Sequence, residues 1–443
     1  MRFLINIISV FFKSEEDRKR LFKVVIPSFI VHFFAAILGI ALIFVMTRGL
    51  GSTQYGIFTY SFSVVFVIVN LATYGICVLT VRETPSLLSK NKTGLMKGLH
   101  KWSVKLVLLI CITFMLLTAA FITVSVFHFH IIKQTVYTIP LLLALVTIPL
   151  YSIMNYYAAS LRGYHKIVLS LLPDNIIKPL FSLISIGILI GLSLRFNVKS
   201  AIVCNIIAFG GAALFASIMF YKTTSIKGIE VEYDTAFWKK SLRSFFLLTL
   251  IMSINARMDI LMLGYLKDSA QVAIYSVADR IGSSLIIFLT IMNQISAAAI
   301  SRMHSLDQKK ELQKMITQTS RGVMIISLPV FGMILIFRKW IMSYFGADFD
   351  TGQTALIIIS TGQIINIAYG PVGIFALMTG NQKSSIIFTS FNIVINIALN
   401  LILTPILGLN GTAIATTCAL VTWNTGMFLS IRKKTGISTW IFG

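Results

Sequence analysis

Charge is scarce in this 443-residue chain: Asp, Glu, Lys and Arg make up 12% of it, about half of what a soluble domain carries. Acidic residues are the scarcest, 15 against 38 Lys and Arg. With 56% hydrophobic residues and a mean hydropathy of +0.87, the chain has too little polar surface to face water on all sides. Cysteine is rare too. Cys77, Cys111, Cys204 and Cys418 lie in apolar runs without CxxC or Cys–His spacing, so they read as small packing residues and exclude a disulfide framework or thiolate metal site. No GxxxxGK[ST] loop, HExxH or GxSxG occurs, so ATP hydrolysis and the common hydrolase chemistries lack their residues. The chain reads as a non-enzyme, and its sequence implies no cofactor beyond proton or sodium coupling.

Long apolar runs are abundant. Twelve windows of the roughly 20 residues needed to cross a bilayer can be counted, joined by connections too short for a soluble domain. The net charge of +23 is not a nucleic-acid footprint, because its placement follows the membrane. With a cytoplasmic N-terminus, 28 of the 38 Lys and Arg fall in the termini and cytoplasmic loops, 7 in the opposite loops and 3 within spans. That is the positive-inside pattern, and it places both termini in the cytoplasm. The excess also touches anionic headgroups, so membrane lipids are partners. Met1–Val10 is apolar, but a charged run follows it and no small-residue cleavage site does, so an interfacial helix is expected in place of a cleaved signal. The basic stretch Arg82–Lys105 is expected to lie along the cytoplasmic surface, with Arg302–Lys314 as its loose counterpart.

Three apolar stretches recur. Gly49, Tyr60 and Ser61 match Gly264, Tyr275 and Ser276 at an offset of 215. Gly163, Lys166 and Asn175 match Gly380, Lys383 and Asn392 at 217, and Ala201-Ile202 matches Ala413-Ile414 at 212. A six-span unit has been copied in tandem, and six spans return the chain to its starting side, so the halves should be parallel repeats around a central cleft. The expected fold is an all-α polytopic membrane protein of two six-helix bundles, residues 1–221 and 242–443, with residues 222–241 as cytoplasmic linker. Such a plan is used by carriers.

Six charges fall inside predicted spans: Asp174, Lys178, Arg257, Asp259, Asp279 and Arg280. An intramembrane charge costs about 2.5–3.5 kcal/mol on insertion scales and is expected to face the bundle interior or a wet cavity and to be functional. Asp174 and Lys178, at i, i+4 between Pro173 and Pro179, suit an internal ion pair on a kinked helix. In the eighth helix, Ser276, Arg280, Ser283, Ile287, Thr290 and Gln294 fall within about 40° of one line at 100° per residue, a polar stripe expected to face the cleft. Thr249, Ser253 and Arg257 share one face of the seventh helix, with Asn255 and Asp259 nearly opposite. Asp174, Asp259 and Asp279 are candidates for ion coupling; pairing with the neighbouring cations is the structural alternative. His32 is the only histidine expected deep in a span. Asn392, Asn396 and Asn400 form a polar line that serves either helix packing or sugar hydroxyls. Small residues at Gly187–Gly191 and Gly210–Gly211 are expected to pack closely.

The stretch TRGLGSTQYGIFTYSFSVVFVIVNLATYGICVLTVRE, with Tyr55-Gly56, Gly75 and Arg82-Glu83, resembles the start of bacterial polysaccharide-biosynthesis membrane proteins. LTPILGLNGTAIATTCALV resembles that family's tail through Pro405, Gly408, Gly411, Ala413, Ile414 and Ala415. The resemblance implies a Wzx-type O-antigen flippase with a MATE-like fold, in the superfamily of multidrug and oligosaccharidyl-lipid exporters. It implies a bacterial inner-membrane protein carrying undecaprenyl-diphosphate-linked oligosaccharide to the periplasmic leaflet by ion-coupled alternating access. Other glycan-assembly membrane proteins are expected partners. Arg257, Arg280 and Lys178 would hold the diphosphate, with Ser276, Ser283, Gln294 and Arg48 as further contacts. The competing reading is a proton- or sodium-coupled drug exporter. A membrane polymerase is disfavoured because every outer loop is short.

Overall fold

A computed structural model describes residues 26–73, 75–124, 135–224 and 230–442, and they are almost wholly helical. Met1–Val10, His128, His130 and Lys133 lie outside the described residues. The helices are α1 Ile26–Ala72, α2 Ile76–Ser89, α3 Thr93–Val124, α4 Thr135–Leu145, α5 Thr147–Gly163, α6 Ile167–Leu172, α7 Lys178–Gly191, α8 Val198–Thr223 and α9 Thr235–Asn255. They continue as α10 Met258–Leu266, α11 Ser269–Gly282, α12 Ile287–Ser305, α13 Lys309–Tyr344, α14 Gln353–Ala368, α15 Val372–Met378, α16 Gln382–Leu407 and α17 Leu409–Thr435.

Helix α1 has 47 residues, about 70 Å at 1.5 Å each, more than two hydrocarbon thicknesses. It is two helices meeting at Gly51, whose φ of 72° and ψ of 174° are open to glycine. The chain thus passes from one helix to the next through a single-residue break. Among the described residues eight helices are long and apolar enough to span, and two bent pairs, residues 137–163 and 347–378, add two more, each bent by 41°. Counting α1 as two and residues 235–266 as one broken span gives twelve.

Backbone contacts divide the chain into the units Pro27–Arg257 and Met258–Gly443. The division falls at the helix break after Asn255, so α9 packs with the first unit. Residues 230–234, within the expected linker, lie against α3: Glu232 N–H donates to Gly94 O at 3.2 Å. A Cβ built on Gly98 would overlap the carbonyl oxygen of Glu232, so only glycine admits this approach. The stretch Arg82–Lys105 turns at residues 90–92 and then continues as α3, with Leu99 and Ser103 already buried. Trp102 packs on Trp238 of α9, 5.3 Å between centroids.

Each unit ties an early helix to a later one through a glutamine side chain, although the two glutamines do not align in the repeat: Gln54 falls opposite Ser269 and Gln271 opposite Gly56. Gln54 Oε1 accepts from Val198 N–H at 2.9 Å, at the start of α8. Gln271 Oε1 accepts from Leu409 N–H at 3.1 Å, at the start of α17. In both units an amide from an early helix satisfies an orphan donor at the start of a later one. Asn197 and Ser200 add a capping box to α8.

The core of the first unit holds Val65, Val69, Leu79, Leu145, Ile148, Tyr156 and Phe220. Large apolar side chains also stand exposed on α3, α7, α13 and α16, among them Leu116, Phe121, Ile188, Ile336 and Ile402. That many would aggregate in water and are at home against lipid tails. Gly211 packs under the ring of Phe181, but a Cβ built on Gly187 or Gly191 would meet open space, so close packing there is not found.

Candidate functional site

In the first unit the charges gather at a π-helical turn, Pro173–Ile177. Pro179 would clash with the carbonyl four residues back in a regular helix, and the wider turn relieves that clash. Lys178 N–H instead donates to Pro173 O, five residues back. Asp174 and Lys178 are ion-paired across the turn. The ammonium also stands 5.9 Å from the ring centre of Tyr151 and 5.2 Å from that of Phe209. These two rings pack at 4.6 Å, and Tyr151 lies 6.4 Å from Phe66. The guanidinium of Arg257 stands 4.8 Å over Phe66. Two cations, one carboxylate and three rings thus form one connected cluster. Arg257 Nε is buried with no hydrogen-bond partner, which costs about 1–3 kcal/mol unless something supplies an acceptor.

Arg48 is exposed and lies 5.8 Å from the ring of Phe44. Arg82 is occupied, paired with Glu83 at 2.6 Å and stacked over Phe245 at 5.0 Å. His32 is half-buried, with Nε2 unpartnered. Among the described residues the histidine deepest in the packing is His100, which the sequence alone does not single out. Its Nδ1 lies 2.9 Å from Tyr156 OH and its Nε2 3.4 Å from Tyr221 OH, and its ring stacks on Phe220 at 4.5 Å. The only signal for it was aromatic spacing 56 and 121 residues away, too remote to read locally.

The second unit holds a continuous line of hydrogen bonds. Tyr275 OH donates to Asp259 Oδ2 at 2.6 Å and lies 3.3 Å from Thr416 Oγ1. Asn396 Nδ2 donates to Thr416 Oγ1 at 3.4 Å, and Asn400 Nδ2 to Asn396 Oδ1 at 3.1 Å. Thr404 Oγ1 donates to Asn400 Oδ1 at 2.9 Å and lies 3.0 Å from Thr412 Oγ1. Helices α10, α11, α16 and α17 are joined by it. Asn396 and Asn400 are buried in this packing, which removes them from contact with sugar hydroxyls. Tyr275 was visible as part of the repeat, but its role was not. At the same offsets the first unit has Phe44, Pro179 and Leu183 in place of Asp259, Asn396 and Asn400, so the line belongs to one half only.

A second polar group links α11 to α14. Ser283 Oγ donates to Asp279 Oδ1 at 3.0 Å, Gln363 Nε2 to Ser283 Oγ at 3.5 Å, and Asn366 Nδ2 to Gln363 Oε1 at 3.3 Å. Ser276 Oγ turns back to Ala273 O. A 3-10 turn at Ser283–Ile286 interrupts the helix, so uniform spacing at 100° per residue stops at Gly282. Thr290 is exposed beyond that turn, and the side chain of Gln294 lies outside the described residues. Of the six intramembrane charges, Asp174, Lys178, Arg257, Asp259 and Asp279 are half-buried and Arg280 is exposed.

The polysaccharide biosynthesis protein profile matches residues 21–304, and the MatE profile matches residues 245–402. The chain belongs to the polysaccharide biosynthesis protein family. Its sequence is similar to the probable low-salt glycan biosynthesis flippase Agl15 of Haloferax volcanii, 26% identical over 161 residues, which cover 36% of this chain and 34% of that protein. The match spans about a third of the relative's length. Its fold is similar to an inward-facing multidrug resistance MATE family transporter of the MOP superfamily, with a TM-score of 0.75, 16% identity and coverage of 92% and 94%. It is also similar to a MOP superfamily transporter from Pyrococcus furiosus, with a TM-score of 0.68, 14% identity and coverage of 97% and 98%. The family member described here is a multi-pass membrane protein with the all-helical, MATE-like fold of the MOP transporters.

Proposed function

We propose that this protein is a flippase that moves undecaprenyl-diphosphate-linked oligosaccharide, an O-antigen repeat unit, from the cytoplasmic to the periplasmic leaflet of a bacterial inner membrane. Both termini are then cytoplasmic, and the site opens alternately to the two leaflets. The observation that carries the reading is the cluster around Arg257 and Lys178. A diphosphate needs fixed cations, and a sugar ring needs flat apolar faces. Here two cations stand beside Phe66, Tyr151 and Phe209, and Arg257 retains a buried donor without an acceptor. A planar guanidinium suits phosphate oxygens through two parallel hydrogen bonds. Arg280, exposed and free of side-chain bonds among the described residues, is the cation proposed in the second unit. Ser276, Ser283, Gln294 and Arg48 are lesser contacts, each tested alone.

Ion coupling is assigned to the second unit, with Asp259 as the carboxylate. Its hydrogen-bonded line has no counterpart in the other half, as a function carried by one repeat requires. Asp279 is a further candidate, and Asp174 is reserved to hold Lys178 in place. The polysaccharide biosynthesis match over residues 21–304 and the glycan flippase relative favour this reading over drug export, for which the support is the shorter MatE match over residues 245–402 and the fold.

The test is genetic and chemical. Deleting the gene should make lipid-linked oligosaccharide accumulate in the cytoplasmic leaflet and remove the surface polysaccharide. Complementation by wild type but not by Arg257→Ala at equal membrane abundance supports the site. Full complementation by Arg257→Ala and Lys178→Ala together removes the cluster from substrate binding.

A further inference from the structure

The start of α13 and the tail after α17 build a basic concavity that the transport reading does not use. Lys309, Lys310, Lys314 and Arg321 line it together with Gln313, Gln318, Gly436 and Ile437, around a volume of about 700 Å³. No carboxylate is among its lining residues. At 100° per residue, Lys310, Lys314, Thr317 and Arg321 fall at 0°, 40°, −20° and 20°, a single stripe about 60° wide. Like charges spaced i, i+4 weaken a helix on their own, so a stripe of three cations is set for a counter-charge.

The far wall is the tail, and it is tied down. Gln313 exchanges two bonds with Ser438: its Nε2 donates to Ser438 O at 2.7 Å, and its Oε1 accepts from Ser438 N–H at 2.8 Å. Ser320 Oγ donates to Thr439 O at 3.3 Å, and Arg321 Nε to Ile441 O at 2.9 Å. Ile437 and Thr439 are buried. The concavity is therefore held in shape by the fold, unlike a row of loose surface lysines.

The same stripe continues into apolar surface. Leu328 falls on the line of Lys310, and Ile325 at 60° from it; they are 47% and 59% exposed. Leu328 is seven residues past Arg321, about 10 Å along the axis. Cations at one end of a helix face and bare aliphatic chains further along it match a phosphate head with acyl tails beside it. A soluble anion would use only the first half of that surface. We propose that this face of α13, closed by the C-terminal tail, binds an anionic phospholipid, with its phosphate among Lys310, Lys314 and Arg321 and its acyl chains along Ile325 and Leu328.

The experiment is native mass spectrometry of the full chain, released from micelles doped with equal amounts of phosphatidylglycerol and phosphatidylcholine, in parallel with sn-glycerol 3-phosphate. Wild type should retain phosphatidylglycerol in preference. Lys310→Gln/Lys314→Gln, which leaves every tail contact in place, should reduce that preference about tenfold or more, on the scale of roughly 1 kcal/mol per basic residue at a membrane surface. Arg321→Gln tests the third cation. Because it also frees Ile441 O, it is read only alongside Arg321→Lys, which should restore the preference partly. Equal retention of the two lipids by wild type, or an undiminished preference in Lys310→Gln/Lys314→Gln, overturns the proposal. Displacement of phosphatidylglycerol by an equimolar amount of glycerol phosphate also overturns it, since the tails would then contribute nothing.

Discussion

Replacing Tyr275 with Phe removes one oxygen and leaves the packing intact, because the ring is fully buried and keeps its shape. The lost group is the donor to Asp259 Oδ2 at 2.6 Å and the neighbour of Thr416 at 3.3 Å. A hydrogen bond to a charged acceptor is worth about 1.5–3 kcal/mol net, and the Thr416 contact adds up to about 1 kcal/mol. Asp259 still accepts from the backbone N–H of Ile260, at 2.9 Å. Tyr275→Phe should therefore destabilise the second unit by about 2–3 kcal/mol, with Asp259→Asn costing less, since a neutral amide still accepts from the phenol. The double variant separates the shared part from the rest: a coupling of about 1.5 kcal/mol or more is expected between residues joined by this bond. The assay is thermal unfolding of the purified protein in detergent, read beside surface glycan in complemented cells. Tyr275→Phe with unchanged unfolding temperature and unchanged glycan would refute both the strength of the bond and its place in coupling. Strictly additive single-variant effects would refute the pairing alone.

Gly98→Ala should press a methyl group into the carbonyl of Glu232 and lift residues 230–234 off α3; about 1–3 kcal/mol is lost, and limited proteolysis should cut at that stretch sooner. Asn400→Leu removes a fully buried amide that bonds Asn396 and Thr404, so an unfolding shift equivalent to about 2–3 kcal/mol is expected, read by the same thermal assay. Gln54→Leu and Gln271→Leu should each cost about 0.5–2 kcal/mol by uncapping α8 and α17 respectively. A marked effect from one and none from the other would break the equivalence of the two capping amides.

The family and the helical count could be read because both rest on runs of apolar residues and on short motifs near Tyr55-Gly56 and Pro405. The Asp174–Lys178 pair was legible for the same reason, since i and i+4 meet in any helical turn. The π turn that carries it was not, because the choice between four- and five-residue rings depends on relieving one proline clash. The stripe drawn along Ser276–Gln294 assumed one uniform helix, and the 3-10 turn at Ser283–Ile286 breaks that assumption without any Gly or Pro after Gly282 to announce it. His100 escaped notice because its partners, Tyr156 and Tyr221, come from other helices. Asn396 and Asn400 showed a polar line but not its direction; burial and the hydroxyl of Thr416 settle it inward.

The two glutamines have a consequence for how each unit is fastened. Each ties a helix near the start of its repeat to one near the repeat's end, so stretches far apart in sequence meet without help from the other unit. In the gapless register of the repeat Gln54 falls opposite Ser269 and Gln271 opposite Gly56, so the two fastenings sit at different rungs of the same ladder. One need was met twice, by separate residues.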